Sequence, residues 1–194
     1  MQKERLGLDL DEVLADIINP LVIYFNEYYK TNFKRNQLVK YHLEETWNIK
    51  TSECNERVHE FYASEEFKKI KPIRGAIKGV DYLSKTKELH IITARPDETI
   101  EETNRWINEV FPGKFAGIHF GNHYSIKERI PKKKSEICKE LKITKIMEDT
   151  LHNAMDCANN GIEVLLLNQP WNKSEINHEK IKRVYSWKEA VNYA

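Results

Sequence analysis

The sequence of 194 residues predicts a three-layer α/β fold, in which helices cover both faces of a parallel sheet and a small helical segment is inserted after the first strand. Short apolar runs alternate with amphipathic helical runs from residue 76 onward, and one further apolar run stands near the N-terminus. Between them, residues 16–75 contain many aromatic side chains and no convincing strand. This β-α-β-α order favours a parallel sheet covered on both faces.

Six apolar runs are expected to form the strands, at residues 6–10, 88–93, 117–120, 145–147, 163–167 and 183–185. Four amphipathic runs are expected to form the helices, at residues 76–85, 99–110, 134–141 and 151–160. The first strand follows a charged N-terminus, so we expect no secretory signal before it and a cytoplasmic protein.

The inserted segment is predicted from apolar residues that recur at helical spacing, namely Ile17, Leu21, Tyr24, Phe25 and Tyr28. Aromatic residues continue to position 67, and most of them are expected to pack the segment's own core. The chain is therefore predicted to have two parts, residues 1–15 with 76–194 in one and residues 16–75 in the other.

Composition excludes several classes of function. The chain has 31 Lys and Arg against 30 Asp and Glu, interspersed along its length, which is not the basic face of a protein that binds long nucleic acid. No apolar stretch approaches the roughly 20 residues needed to cross a bilayer. Cys54, Cys138 and Cys157 are widely spaced, which indicates reduced thiols rather than a disulfide framework or a zinc site.

Asp9 and Asp11 stand two residues apart at the end of the first apolar run. Residues i and i+2 of a strand share a face, so both acids are expected to reach one crevice beyond the carboxyl end of the sheet. Two such carboxylates repel each other unless a cation lies between them or one holds a proton, and Mg²⁺ is the cation that fits best. The alternative is that both acids only cap the helix that would begin near Val13.

Three further segments carry candidate functional residues. Thr93 ends an apolar strand, where its hydroxyl is expected either to bind a phosphate oxygen or to cap the next helix. Three lysines at 132–134 open a predicted helix, although such a run is usually solvated. Glu148 and Asp149 end another predicted strand with two acids.

Together these four segments resemble, in the same order, the four motifs of the haloacid dehalogenase (HAD) superfamily of aspartyl-phosphate phosphohydrolases. The first motif is matched by residues 9–13, the second by the strand into Thr93, the third by the lysine before residues 135–138, and the fourth by Glu148 and Asp149. The resemblance covers essentially the whole chain. It implies a Rossmann-like HAD core and makes residues 16–75 the small helical cap of that family.

Within the superfamily the chain is similar to the 5'(3')-deoxyribonucleotidase-like branch. The similar features are the aromatic cap segment 41–47, the residues Thr93-Ala94-Arg95 and the segment 168–172. One departure lies in the fourth motif, where Glu148 stands in a position often filled by Asp, so Asp149 is the safer metal ligand.

The resemblance implies a role for each motif residue. Asp9 would be the nucleophile that forms an aspartyl-phosphate, and Asp11 would protonate the leaving oxygen and then activate water. Thr93 and Lys134 would hold the phosphate, with Lys133 as the alternative lysine.

The cofactor implied by the resemblance is Mg²⁺. An Asp9 oxygen, the Asp11 backbone carbonyl and Asp149 would hold it, and Glu148 would either bind it directly or act through water.

The implied reaction is hydrolysis of a small phosphomonoester, with a nucleoside monophosphate as the expected substrate. Arg95, Tyr41 and Trp47 are the candidate substrate-binding residues, and exposed aromatic residues of the cap would allow a homodimer. A HAD phosphatase for a non-nucleotide phosphomonoester is the first alternative. A catalytically inactive HAD scaffold is the second, and a receiver-like domain, which runs shorter and lacks the insertion, is the third.

Overall fold

The computed structural model describes residues 3–40, 42–121 and 131–194. Its strands are β1 (Glu4–Leu8), β2 (Ala15–Asp16), β3 (Lys71–Pro72), β4 (Lys87–Thr93), β5 (Phe115–Phe120), β6 (Lys145–Glu148), β7 (Glu163–Leu167) and β8 (Ile181–Val184). Six of them form one parallel sheet in the order β5-β4-β1-β6-β7-β8. The predicted α/β class with a parallel sheet is therefore confirmed.

The helices are α1 (Ile18–Tyr28), α2 (Leu43–Trp47), α3 (Thr51–Tyr62), α4 (Ala76–Leu83), α5 (Ile100–Val110), α6 (Lys134–Glu140), α7 (Leu151–Asn159) and α8 (Trp187–Ala190). All four predicted helices are present, and each ends within two residues of its predicted bounds. None of the helices within the described ranges is long and apolar enough to cross a membrane.

The first strand ends earlier than predicted: β1 ends at Leu8 and not at residue 10. After Asp9 the chain turns: the N–H groups of Leu14 and Ala15 both donate to the Leu10 carbonyl, at 2.9 and 2.8 Å. Glu12 has a positive φ of 61° within this turn. Asp9 therefore lies at the strand end, whereas a turn and not strand alternation positions Asp11.

The prediction of no strand between residues 16 and 75 is wrong at the two ends of that segment. β2 and β3 form a short antiparallel pair in which Ala15 lies opposite Pro72 and Asp16 lies opposite Lys71. Strands of two residues are too short to show a period-2 pattern, so the sequence did not reveal them. The pair joins the two chain segments that lead into and out of the helical insertion.

The insertion, residues 16–75, is called the cap below, and the remainder is called the sheet region. The cap has an aromatic core, in which the rings of Phe25 and Trp47 stack with centroids 3.8 Å apart and Phe61 is fully buried. One buried apolar cluster runs from Leu6 and Leu8 of β1 into these cap residues. This cluster packs continuously from the sheet region into the cap. The predicted division into two parts, with boundaries after residues 15 and 75, therefore stays a prediction.

The opposite face of the sheet carries a second buried cluster, formed with α6 and α7, that includes Ile137, Cys138, Cys157 and Val164. All three cysteines are free and buried. The sheet is thus covered on both faces, and its carboxyl edge is open toward the cap.

Candidate active site

Three acids meet at the carboxyl edge of the central strands. Asp9 directly follows β1, and its N–H donates to the Met147 carbonyl of β6 at 2.9 Å. Glu148 ends β6 and Asp149 follows it. One carboxylate oxygen from each of Asp9, Glu148 and Asp149 lies within 4.8 Å of the other two, and all three residues are buried. Adjacent parallel strands end at the same edge, which is why residues far apart in the chain form one cluster.

Lys134, the first residue of α6, lies between two of these acids. Its Nζ is 2.7 Å from Asp9 Oδ2 and 2.7 Å from Glu148 Oε2, and its side chain is 2% exposed. Lys133 is different, since its side chain is 65% exposed and its Nζ lies 3.5 Å from Asp156. Of the two lysines left open by the sequence, the structure brings Lys134 to the acids.

The pKa values of the three clustered acids and of Lys134 are shifted by burial and by their neighbours' charges. Burial raises the pKa of Asp9 to about 8, with Glu148 adding to the rise and Lys134 opposing it. Burial and the neighbouring Glu148 also raise the pKa of Asp149 well above its usual value. Burial lowers the pKa of Lys134, but the charges of Asp9 and Glu148 outweigh that effect and raise it.

Glu148 is the most heavily hydrogen-bonded of the three acids. Its Oε1 accepts from the Thr150 N–H at 3.1 Å, from Thr150 Oγ1 at 2.8 Å and from Asn153 Nδ2 at 3.2 Å. Burial raises the pKa of Glu148, but Lys134 and these donors together have the larger, opposite effect. The pKa of Glu148 is therefore below its usual value. Glu148 is therefore held as a carboxylate that neutralises Lys134, whereas Asp9 and Asp149 have fewer competing donors.

Asp11 lies beside the cluster, in the turn after β1, and is paired with Arg95. Arg95 Nη2 is 2.6 Å from Asp11 Oδ1 and Arg95 Nε is 3.0 Å from Asp11 Oδ2, so the ion pair is bidentate. Arg95 is itself buried, donates to Thr103 Oγ1 at 2.9 Å and lies 5.0 Å from the centroid of the Phe67 ring. Arg95, a predicted substrate-binding residue, therefore forms an ion pair with Asp11, and its contact with substrate stays a prediction.

Thr93 ends β4 next to β1 and is almost fully buried. Its Oγ1 accepts the Arg95 N–H at 3.1 Å, and that bond does not use the hydroxyl proton. The predicted role of this hydroxyl in phosphate binding is compatible with that geometry and stays a prediction.

A cavity of about 370 Å³ lies between the acids and the cap. The sheet region lines one end with Asp9, Asp11, Lys134 and Asp149. The cap lines the other end with apolar residues and a few polar ones, including Leu21, Leu38, Val58, Phe61, Tyr62, His42 and His59. The cavity is thus charged at one end and largely apolar at the other.

The other two predicted substrate-binding residues are Trp47 and Tyr41. Trp47 is buried in the aromatic core of the cap against Phe25, and it is not among the residues that line the cavity where the structure describes it. An aromatic side chain in a helical segment packs the core more often than it faces a ligand, and Trp47 follows that rule. Tyr41 lies outside the described residues.

The loop after β7, whose segment 168–172 carried part of the family resemblance without a predicted role, contacts the acids. Trp171 Nε1 donates to Asp149 Oδ2 at 2.9 Å, and Asn172 Nδ2 donates to the Asp149 carbonyl at 2.6 Å. Trp171 also lines the cavity. Since β7 is the neighbour of β6 and parallel to it, the position of this loop at a strand's carboxyl end was the signal that would have indicated it.

A Rossmann-like parallel sheet with acids at the ends of β1 and β6, a buried lysine and a helical cap defines the class of the protein as HAD-like hydrolases. Solved structures agree on the fold. A HAD-like hydrolase from Streptococcus pneumoniae superposes with a TM-score of 0.71 at 16% identity, covering 98% of each chain. A HAD hydrolase from Bacillus subtilis solved with bound magnesium has a TM-score of 0.62 at 15% identity, covering 100% of this chain and 99% of that one.

The chain belongs to the family described as "5' nucleotidase, deoxy (Pyrimidine), cytosolic type C protein", whose model matches residues 3–194. It is also similar to the 5'(3')-deoxyribonucleotidase of Bacillus subtilis, with 23% identity over 193 residues and 96% of each sequence covered. The predicted HAD membership, nucleotidase-like branch and enzymatic nature are confirmed. The protein is a phosphomonoester hydrolase of this nucleotidase family.

Proposed function

We propose that the protein is a Mg²⁺-dependent nucleotidase that hydrolyses nucleoside monophosphates through an aspartyl-phosphate on Asp9. The observation that carries the proposal is the cavity itself. It places a buried acid cluster and Lys134 opposite an apolar wall, as a substrate with a charged phosphate and a flat nucleobase requires. Family membership, with its description as a cytosolic nucleotidase, supports both the reaction and a cytoplasmic location.

The residues present fit a hard divalent cation. Three buried carboxylates within 4.8 Å of one another repel unless positive charge compensates them, and Lys134 supplies only part of that charge. Asp9 and Asp149 would hold Mg²⁺, together with the backbone carbonyl of Asp11, and Glu148 would stay with Lys134. When bound, the ion neutralises charge on the phosphate and on the acids.

In the first step an Asp9 carboxylate oxygen attacks phosphorus and the ester P–O bond breaks. The leaving oxygen takes a proton from Asp11, so the products are the free alcohol and phosphorylated Asp9. Lys134 and Thr93 hold the phosphate oxygens during this transfer. In the structure Asp11 is the carboxylate partner of Arg95, so before this step it has to leave that ion pair and take up a proton.

In the second step water attacks phosphorus and gives a proton to Asp11, which is now a carboxylate. The acyl–phosphate bond breaks, inorganic phosphate is released and Asp9 is restored. Asp11 therefore ends the cycle protonated, as it began.

The substrate class is proposed from the cavity and from the relatives. The Bacillus subtilis relative is named a 5'(3')-deoxyribonucleotidase, and the apolar cap wall of this chain offers a surface for a nucleobase. A homodimer stays a prediction.

The test is a Mg²⁺-dependent phosphate-release panel with all nucleoside 5'- and 3'-monophosphates, p-nitrophenyl phosphate and a set of sugar phosphates. We expect at least one nucleoside monophosphate to have the highest kcat/KM, and EDTA to abolish the activity. A panel in which sugar phosphates lead would refute the nucleotide assignment. Activity that is unchanged in EDTA would refute the metal assignment.

A further inference from the structure

Arg35 of the cap contacts Glu12 and Gln169 of the sheet region, and it does not line the cavity. We propose that Arg35 is a positioning residue, which ties the cavity-lining segment of the cap to the sheet region beside Asp149 and thereby supports binding of the nucleoside part of the substrate. The inference rests on the proposed function for its substrate.

Arg35 forms ion pairs with two acids, Glu12 of the sheet region and Asp16, the first residue of the cap. Arg35 donates through Nη2 to Glu12, and its Nη1 lies 3.1 Å from Asp16 Oδ1. Glu12 is 2% exposed, so its charge needs a partner in place of water. The other carboxylate oxygen of Glu12 accepts the N–H of Ile18, the first residue of α1, at 2.9 Å. Arg35 and α1 are therefore held by the same buried carboxylate.

The second half of the tie reaches the loop after β7. The guanidinium carbon of Arg35 lies 5.7 Å from the centroid of the Trp171 ring, and Nη2 is 3.4 Å from Gln169 Oε1. Gln169 in turn donates to the Glu12 carbonyl at 3.2 Å. Trp171 is the residue whose indole N–H donates to Asp149. Arg35 therefore contacts Trp171, and Trp171 contacts Asp149 of the acid cluster.

The chain that follows Arg35 forms a wall of the cavity. Leu38, Lys40, His42 and Leu43 all line it, and Leu38 is fully buried. Arg35 lies in a single 3₁₀ turn, Arg35–Gln37, which makes few backbone bonds of its own. A short turn of this kind depends on side-chain contacts for its position. Loss of the Arg35 contacts would therefore make the cavity-lining segment after Arg35 more mobile, while the acid cluster would keep its position.

The chain supplies a matched control in Arg57. This arginine also lies in the cap, pairs with an acid (Glu53) and has its guanidinium 3.9 Å from the centroid of an aromatic ring (Tyr29). Both of these partners lie in the cap, and the Arg57 side chain is 21% exposed against 28% for Arg35. Arg57→Gln therefore removes the same kinds of contact without touching the tie.

The experiment compares Arg35→Gln with Arg57→Gln on two substrates. The readout is the ratio of kcat/KM for the best nucleoside monophosphate to kcat/KM for p-nitrophenyl phosphate, whose small leaving group depends less on the cap. We expect Arg35→Gln to lower this ratio about ten-fold or more, mainly through KM, and Arg57→Gln to leave it within about two-fold. Hydrogen exchange should become faster in residues 31–40 of Arg35→Gln and not of Arg57→Gln.

Arg35→Lys is the second variant if Arg35→Gln does not fold, and we expect an intermediate ratio because Lys keeps the charge but cannot serve both acids at once. The proposal is overturned if the ratio stays within two-fold in the folded Arg35 variant, even when hydrogen exchange changes. It is also overturned if Arg57→Gln lowers the ratio equally. If the wild type hydrolyses no nucleoside monophosphate, the proposed function fails, and the exchange comparison still decides whether Arg35 holds the segment.

Discussion

The two ends of the cavity are built on different physical principles. At the sheet end Lys134 and Glu148 have several fixed partners: Lys134 contacts two acids at 2.7 Å, and Glu148 accepts three further hydrogen bonds. At the cap end the wall consists largely of apolar side chains, such as Leu38 and Val58, on short helices and turns. The sheet end presents charged groups held by directional bonds, whereas the cap end presents packed apolar side chains to the cavity.

This difference indicates that the two ends of the cavity control different kinetic properties. Charged groups fixed before the substrate arrives stabilise a transition state without reorganising, so the sheet end should determine the rate of phosphoryl transfer. Apolar packing is tolerant of shape and adds affinity in proportion to area, so the cap end should determine which leaving group is accepted. Substitutions at the two ends should therefore separate the rate from the selectivity.

The largest effect is expected from Asp9→Asn. Without the nucleophilic oxygen, kcat should fall by about 10⁴-fold or more on every substrate, including p-nitrophenyl phosphate. Folding should survive, because burial disfavours the Asp9 charge and the amide removes that cost. The measurements are steady-state kinetics and thermal unfolding of the purified variant. Near-normal turnover would show that Asp9 is not the nucleophile.

The next effect is expected from Lys134→Met. Loss of a preorganised positive charge costs about 2–4 kcal/mol of transition-state stabilisation, which is roughly 30- to 1,000-fold in kcat/KM. The loss should be similar for nucleotides and for p-nitrophenyl phosphate, since the lysine belongs to the sheet end. Lys133→Met is the matched control, and its exposed side chain predicts a change of less than about two-fold. Equal losses in the two variants would contradict the assignment.

A pH effect on stability is expected for the protein in EDTA. The pKa of Asp9 is raised to about 8 in the folded state from 3.8, so the folded state binds the proton more tightly and stability decreases as the pH rises from about 4 to 8. The slope from one such group is at most about 1.4 kcal/mol per pH unit. Urea unfolding at several pH values should show a smaller decrease for Asp9→Asn than for wild type. Identical slopes would mean that Asp9 does not titrate in this range.

A smaller effect is expected from Trp171→Phe, which removes the hydrogen bond to Asp149 and keeps an aromatic ring. Partners of a metal-binding carboxylate orient it, so the Mg²⁺ concentration for half-maximal activity should rise about ten-fold. Trp106→Phe is the control, because it also removes one indole hydrogen bond, the one to the Ile70 carbonyl, and neither residue is among the described residues that line the cavity. A shift of the same size in both variants would contradict a specific role for Trp171.

The smallest effect is expected from Val58→Ala in the cap wall. Removing apolar surface should cost about 1 kcal/mol of binding, or roughly five-fold in kcat/KM, for the preferred nucleotide. The value for p-nitrophenyl phosphate should not change, and neither should kcat. If kcat fell on both substrates, the proposed separation between rate at the sheet end and selectivity at the cap end would be wrong.

The site shows which contacts a sequence pattern predicts. The strand before Asp9, the strand before Glu148 and the helix that begins at Lys134 were all predicted from local patterns, and their meeting follows from parallel topology. In contrast, nothing local to Trp171 or Arg35 indicates that the two side chains lie near each other. Such pairings depend on how loops from distant parts of the chain pack together.

The sequence by itself determined the α/β class, the approximate bounds of the six parallel strands and the position of the acids at strand ends, because hydrophobic periodicity and strand direction are local properties. The tertiary structure alone decided that Arg95 pairs with Asp11 and that Trp47 packs inside the cap, and it brings Lys134, the lysine that the family resemblance favoured over Lys133, to Asp9. Each of these depends on the direction of a side chain in a packed interior, where excluded volume and the cost of unpaired buried charge select one arrangement.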